Sequence, residues 1–355
     1  MPATRTTNTL AVFASMLALV GAQKASAQRS SVQQKGDRFL AIAINESPGL
    51  DFSKAFRMSK SAGIQTVELA LPWDEVERAP GKYRNIFPGI ANSFYPANGV
   101  RVALELNPID TNNLRMPADL RGKSFDDPDV MKRYKATLKW VFEQMPNTSF
   151  SSLAIGNEID ATLLNQKDKW ERYSRFFAEA ASYARELRPG LFVGAKATAS
   201  GLLGDARQYA RNLNARTDIV MVTYYPLKPD FTVSEPASLE EMIAGLTNIY
   251  PLKQIYFMEL GYPSASENNS SETKQAAFVK HAFQVWDRHS SHVRFINFVW
   301  LCDRSSSEIK HYEKYYRLSD KKFLSYLASL GLCRADGSVK PAFQTLVTEA
   351  KSRGW

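Results

Sequence analysis

Ser152-Leu153-Ala154-Ile155-Gly156 is a short, nearly apolar run that ends on Asn157-Glu158. A longer segment follows, in which Trp170, Tyr173, Phe176, Phe177, Ala180, Ala184 and Leu187 recur every three or four positions. The first stretch reads as a buried strand and the second as an amphipathic helix, because the apolar period changes from continuous to helical between them. Asp168 and Glu171 hold capping-box spacing at the helix start, with Asp in the usual Ser/Thr role, and Pro189-Gly190 stops the helix. One strand followed by one helix is the unit from which the whole chain is built.

Working outward, the same unit recurs. The predicted strands are Phe39–Asn45, Thr66–Leu71, Val100–Leu106, Ser152–Gly156, Leu191–Ala195, Ile219–Thr223, Gln254–Met258 and Val293–Trp300. Asp127-Pro128 sets an N-cap and a first-turn proline before the face Val130, Tyr134, Leu138, Val141 and Phe142. A doubly wound open sheet alternates in the same way, but usually carries a glycine-rich phosphate loop after its first strand, and this chain has none. Eight βα units without an internal linker predict one (β/α)₈ TIM barrel spanning residues 38–355.

The N-terminus reads differently. Leu10–Ala22 is an apolar run of 13 residues, short of the roughly 20 that cross a bilayer, and Ala25-Ser26-Ala27 has the small-x-small form of a signal-peptidase site. Residues 1–27 are therefore expected to be a signal peptide, and 28–37 a polar lead-in. That predicts a secreted or periplasmic protein with no membrane span in its mature form. Removing the leader takes away Arg5 and Lys24 and lowers the formal charge from +9 to +7. The remaining Lys and Arg residues form no run of four or more. This reads as a solvated basic surface, with no nucleic-acid partner. Cys302 and Cys333 lie at the end of the last strand and after the last helix, and in an oxidising compartment they are a candidate disulfide, with two buried thiols the alternative. The oligomeric state is left open.

A barrel of this kind does its chemistry at the C-terminal ends of its strands. Strand four ends on Asn157-Glu158, and strand seven on Met258-Glu259-Leu260-Gly261-Tyr262-Pro263. Two rim carboxylates are what cleavage of a glycosidic bond needs: one attacks the anomeric carbon, and the other protonates the leaving oxygen and later deprotonates water.

These two phrases resemble the clan A retaining glycoside hydrolases. The resemblance implies that Glu158 is the acid/base and Glu259 the nucleophile. Pro72-Trp73-Asp74-Glu75-Val76-Glu77 resembles the clan's segment after strand two. Tyr224-Tyr225-Pro226 resembles the strand-six end of the endo-β-1,4-galactanase-like members, and Trp300 stands where the clan places a sugar-stacking tryptophan. Two phrases depart. Strand three, Val100 to Pro108, lacks the arginine-rich form of galactanases, and strand seven reads Met-Glu-Leu-Gly-Tyr-Pro where Thr-Glu-Thr-Gly-Trp-Pro is commoner. The resemblance is thus to the clan, with the family and the sugar left open.

Further candidates surround the pair. Asn157 is placed to bond a sugar 2-hydroxyl. Tyr224 or Tyr225 is placed to hold the nucleophile ionised, Trp300 is a sugar platform or a core aromatic, Trp73 stacks on a sugar or pins the strand-two loop, and Asn107 is placed to bind hydroxyls. Asn45, Glu46 and Lys196 also end strands. Glu105 reads as a decoy carboxylate, set inside its strand and without a partner of the right type. His281, His289, His292 and His311 have no zinc-ligand spacing, so no metal and no cofactor are expected. The predicted partner is a poly- or oligosaccharide, cleaved at a β-glycosidic bond with retention. The rival readings are a non-catalytic carbohydrate-binding barrel, which would usually have lost one of the two glutamates, and a purely structural barrel, which leaves the paired glutamates unexplained.

Overall fold

The computed structural model describes residues 32–355. The expected signal peptide and its cleavage site lie outside the described residues. From residue 34 onward the chain is one compact unit.

Eight parallel strands form the barrel: β1 (Phe39–Ile42), β2 (Thr66–Pro72), β3 (Arg101–Asp110), β4 (Phe150–Asn157), β5 in two pieces (Val193–Gly194 and Lys196–Thr198), β6 (Ile219–Tyr224), β7 (Gln254–Leu260) and β8 (Val293–Phe298). Each pairs with its neighbour in sequence, and β1 pairs with β8. The ring is joined across β5, whose first piece pairs with β4 through Leu153 and Val193, while its second pairs with β6 through Met221 and Lys196.

The period-2 alternation of strands sorts the side chains into two layers. On β3, Leu104 and Leu106 join the large core between strands and helices, while Ala103 turns inward to the barrel axis with Ala41, Ala154, Met221, Met258 and Phe295. Glu105 and Asn107 share the parity of Ala103. The axis is therefore apolar at the bottom and polar towards the C-terminal rim.

The helices that position the site follow from their caps and faces. They are α1 (Phe52–Ser61), α2 (Phe87–Ala97), α3 (Pro128–Glu143), α4 (Lys167–Leu187), α5 (Arg207–Asn214), α6 (Ser238–Ile249) and α7 (Glu272–Arg288). In α3 the Asp127 side chain accepts from the Asp129 amide, and all five expected face residues are buried. In α4 the expectation fails at one point. Asp168 lies inside the first turn and the N-cap is Gln166, which makes no side-chain cap bond. Asp168 instead meets the positive end of the helix dipole. Beyond β8 the chain adds two helices over the mouth, α8 (Ser306–Tyr316) and α9 (Lys321–Ala328), before α10 (Pro341–Ser352) closes the barrel. Ser305 and Glu308 form a reciprocal capping box that starts α8.

Cys302 and Cys333 are joined by a parallel bridge and are both buried. The expected nearness is present, with both cysteines free. At the opposite end of the barrel, Asp287 on α7 is clasped by two guanidiniums. Arg38 Nη1 lies 2.9 Å from its Oδ1, and Arg353 Nε reaches both oxygens at 3.0 and 2.9 Å.

Candidate active site

The mouth of the barrel holds a cleft of about 470 Å³, and Glu158 and Glu259 both line it. Strand β4 delivers Glu158 through a tight exit. Gly156 has φ +86°, and a Cβ there would stand 2.5 Å from the Tyr173 hydroxyl and 2.6 Å from Ile159, so glycine is required. Glu158 itself lies in the left-handed region at φ +43°, a conformation that costs a non-glycine residue about 1–3 kcal/mol and is kept only where the surroundings fix it. They do fix it here. Thr223 donates to Oε1 at 2.7 Å and Thr111 to Oε2 at 3.0 Å, and the Thr162 hydroxyl in turn holds the Thr111 carbonyl at 2.7 Å.

Glu259 comes from β7, where the register against β6 shifts between Val222 and Thr223. Lys196 Nζ lies 2.7 Å from its Oε1, and the Tyr225 hydroxyl donates to its Oε2 at 2.5 Å. The two glutamates thus sit in opposite surroundings. Glu259 faces a cation and a phenol. Glu158 is held only by neutral hydroxyls, and burial together with the negative charge of Glu259 pushes its carboxyl up to about 7.

Below the pair lies a buried charge cluster. Lys196 Nζ also lies 2.7 Å from Glu105 Oε1 and 3.0 Å from Glu68 Oε1. Asn297 donates to Glu68 Oε2 at 2.6 Å and to the Met258 carbonyl at 2.9 Å. Burial works against the charge of Lys196, but Glu105, Glu259 and Glu68 outweigh it and hold its ammonium well above the usual range. Burial, then the charge of Glu105, pushes the Glu68 carboxyl well above the ordinary carboxylate range.

The other expected site residues divide. Asn157 lines the cleft and donates to Asp110 Oδ1 at 2.8 Å, leaving its buried Oδ1 without a protein partner. Trp300 lines the cleft with the Arg304 guanidinium 3.9 Å from its ring and Tyr312 nearly parallel to it. Of the two tyrosines, Tyr225 reaches Glu259, whereas Tyr224 turns away and its hydroxyl bonds Ser238 on α6 at 3.0 Å.

Two expectations are corrected. Trp73 is fully buried, packs edge-on to Tyr134, and donates its Nε1–H to Glu77 at 3.1 Å and Thr137 at 3.0 Å. It pins the strand-two loop and no sugar reaches it. Asn107 is buried beneath the rim and donates to Glu105 Oε2 at 3.3 Å, because its inward parity places it in the charge cluster. Asn45 also serves the backbone, exchanging two bonds with Cys302.

Sequence reading missed most of the wall. Tyr312 and Tyr316 of α8, Phe323, Tyr326 and Leu327 of α9, and Leu330 beyond it line one side of the cleft. The tyrosine-dense His311-Tyr312-Glu313-Lys314-Tyr315-Tyr316 was the available signal. Thr223 and Thr111 were also missed. Thr223 was in view, since it shares inward parity with Met221 on β6.

With this geometry in place, comparisons with known proteins become decisive. Residues 139–294 match the model for glycosyl hydrolase family 53, a span that contains both Glu158 and Glu259. The chain is a clan A glycoside hydrolase. Its barrel is similar to that of a GH5_18 protein from Bifidobacterium longum subsp. longum solved with Manβ1-4GlcNAc, at TM-score 0.69 and 13% identity over 89% of this chain and 78% of that one. It is also similar to the exo-β-1,4-mannosidase Op5Man5 from Opitutaceae bacterium strain TAV5 (TM-score 0.67, 16% identity), covering 92% of this chain and 62% of that longer one. Xylanase 10B from Thermotoga maritima matches at TM-score 0.64 and 14% identity, over 90% and 96% of the two chains. No curated protein sequence matches the chain. Identities this low carry the fold. The assignment of roles within this clan A hydrolase rests on its own residues.

Proposed function

We propose that the protein hydrolyses a β-glycosidic bond of an exported or extracellular oligo- or polysaccharide by double displacement, with Glu259 as nucleophile and Glu158 as acid and base. One observation carries this division of labour: the two carboxyls share a cleft yet meet opposite surroundings. Glu259 is paired with Lys196 and Tyr225, whereas Glu158 is held by hydroxyls at a proton affinity near neutrality.

In the first step a Glu259 oxygen attacks the anomeric carbon as the bond from that carbon to the leaving oxygen breaks, and Glu158 gives its proton to that oxygen. The carboxylate charge of Glu259 is consumed in the ester, so the neighbour that raised Glu158 disappears and Glu158 becomes a stronger acid. In the second step water attacks the same carbon, Glu158 takes the water's proton, and the bond to Glu259 breaks. Two inversions give net retention. The vacant Oδ1 of Asn157 is an acceptor for a sugar hydroxyl, and Trp300 supplies an apolar surface for the ring.

The β-linkage in this reading leans on the named relatives, a β-1,4-mannosidase and a xylanase among them. Reducing-sugar release from β-galactan, β-mannan, xylan, β-glucan and acidic glycans tests it, with Glu259→Gln as control. Release by the wild type alone, with anomeric NMR showing the β-product first, is the expected result. No release from any of the panel, or equal release by Glu259→Gln, overturns the reading.

A further inference from the structure

Lys196 pairs with Glu259, but the double displacement leaves its other contacts unexplained. It is fully buried and contacts three carboxyls from three strands: Glu68 from β2, Glu105 from β3 and Glu259 from β7. Its place follows from the break in β5. Gly194 and Lys196 share inward parity, and Gly194 is crowded by Met221, so the strand opens to the axis first at Lys196. An ammonium stripped of water in this position is costly unless it is paired.

We propose that Lys196 is the positioning residue that orients Glu259 and keeps its carboxylate charged, and that Glu105 is the resident partner that keeps Lys196 charged when Glu259 is neutralised. The inference rests on the assignment of Glu259 as nucleophile, and extends it to groups that never touch substrate.

The geometry supports both halves. Lys196 donates to Oε1 of Glu259 while Tyr225 donates to Oε2, so the carboxylate is fixed at both oxygens and cannot rotate. Glu105 and Glu259 lie at the same 2.7 Å from the ammonium, yet differ in what the reaction does to them. Glu259 lines the cleft and is esterified, while Glu105 lies beneath, bonded by Asn107 and out of reach of substrate. Glu68 does not duplicate Glu105, because burial and Glu105's charge drive Glu68 towards its neutral form. Glu105, out of reach of substrate, keeps its contact with the ammonium when Glu259 is esterified. Lys196 therefore faces at least one carboxylate throughout the cycle.

Charged and titratable groups surround Glu259 from every side of the barrel. They are Glu68 on β2, Glu105 on β3, Glu158 after β4, Lys196 on β5 and Tyr225 after β6, with Tyr312 and Tyr316 on α8 and Tyr326 on α9 sensing its charge. Arg304, beyond β8, is a second cation lining the cleft, set on the Trp300 ring and bonded to Glu308, whereas Lys196 is the cation in contact with Glu259.

The test needs no substrate, so its failure is separable from failure of the hydrolase reading. The full-length protein is labelled at glutamate Cδ and lysine Cε, and the carboxyl resonance of Glu259 is identified by its loss in Glu259→Gln. In Lys196→Met the titration midpoint of Glu259 should move up, with at least about a tenfold gain in proton affinity, and Lys196→Arg should restore most of it. An unmoved midpoint in Lys196→Met overturns the first half. Should Lys196→Met fail to fold because Glu105 is left buried alone, Lys196→Met/Glu105→Gln removes both charges. The rise should persist there, since the cation lost is in direct contact and the anion lost lies beyond it. For the second half, Glu259→Gln stands in for the esterified nucleophile. The Cε shift of Lys196 should stay at its charged value in Glu259→Gln wherever an ordinary lysine is charged, and should titrate at least tenfold more readily once Glu105→Gln is added. Equal titration with and without Glu105 overturns it.

Discussion

The Tyr225 hydroxyl donates to Oε2 of Glu259 at 2.5 Å, while Tyr224, one residue earlier, points to the opposite face of the strand and bonds Ser238. Adjacent tyrosines with opposite orientations make a controlled experiment. Tyr225→Phe removes one donor from a charged acceptor, a loss of about 1.5–3 kcal/mol, or roughly ten- to a hundredfold in the first chemical step. It should also raise the acid limb of the pH profile, because Glu259 then ionises less readily. Tyr224→Phe should leave rate and profile nearly unchanged. Equal effects from the two would show that the tyrosine acts through packing.

The pH dependence follows from Glu158. Its carboxyl, pushed up to about 7 by burial and by Glu259, holds the catalytic proton below that pH and loses it above. The kcat/KM profile should therefore fall on the alkaline side with a midpoint near 7. In Glu259→Gln the neighbouring charge is gone, so the Glu158 midpoint, read by carboxyl NMR, should move down. A midpoint that stays put would mean that burial alone sets it.

Trp73 and Trp300 were both candidate sugar platforms in the sequence, one just beyond strand two and one closing strand eight, and the structure separates them. Trp73→Ala removes a fully buried indole and should cost about 3–5 kcal/mol of stability with KM unchanged in the surviving fold. Trp300→Ala should raise KM and leave the denaturation midpoint close to wild type, since its ring lines the cleft. Urea unfolding together with steady-state kinetics distinguishes the two.

At the far end of the barrel, Asp287 pairs with both Arg38 and Arg353, Arg353 also bridging Glu349, and Asp287 and the two arginines are buried. Asp287→Asn leaves two guanidiniums without their shared carboxylate, a change of the class that costs about 3–5 kcal/mol. The loss should appear in chemical denaturation at constant kcat. A kcat change larger than the stability change would show that this cluster is coupled to the cleft.

What the sequence revealed, and what it hid, divides along a physical line. Strands buried on both faces are written as continuous Val, Ile, Leu and Phe, so all eight were found within a few residues of their observed ends. The rim carboxylates were legible because each directly follows such a run. Trp73 stayed open between stacking and pinning its loop, because periodicity reports neither which way a loop folds back nor that Glu77 and Thr137 wait for its indole N–H. Glu105 looked like a decoy for a related reason. Its partner Lys196 is 91 residues away, and only ring closure brings β3 and β5 together about one axis. The wall from α8 and α9 was hidden because aromatic residues on a short helix look alike whether they face a core or a cleft.

The roles of Glu158 and Glu259 give the sharpest prediction, because their mutants should differ in kind and not only in degree. Glu259 carries the charge that attacks, so Glu259→Ala should form no glycosyl-enzyme with any substrate. Glu158 matters to the first step only when the leaving group needs a proton. Glu158→Ala should therefore still be glycosylated by aryl glycosides with acidic leaving groups and then stall, because nothing deprotonates water. Azide needs no general base. Added to Glu158→Ala, it should attack the glycosyl-enzyme and give a glycosyl azide of retained configuration. Added to Glu259→Ala, it should enter the space vacated by the carboxylate, attack the substrate directly and give the inverted azide, with Glu158 protonating the leaving group. Proton NMR of the anomeric centre reads both products. The opposite pairing of configurations with mutants would reverse the two roles, and would place the nucleophile on the residue held by Thr111 and Thr223 instead of the one held by Lys196 and Tyr225.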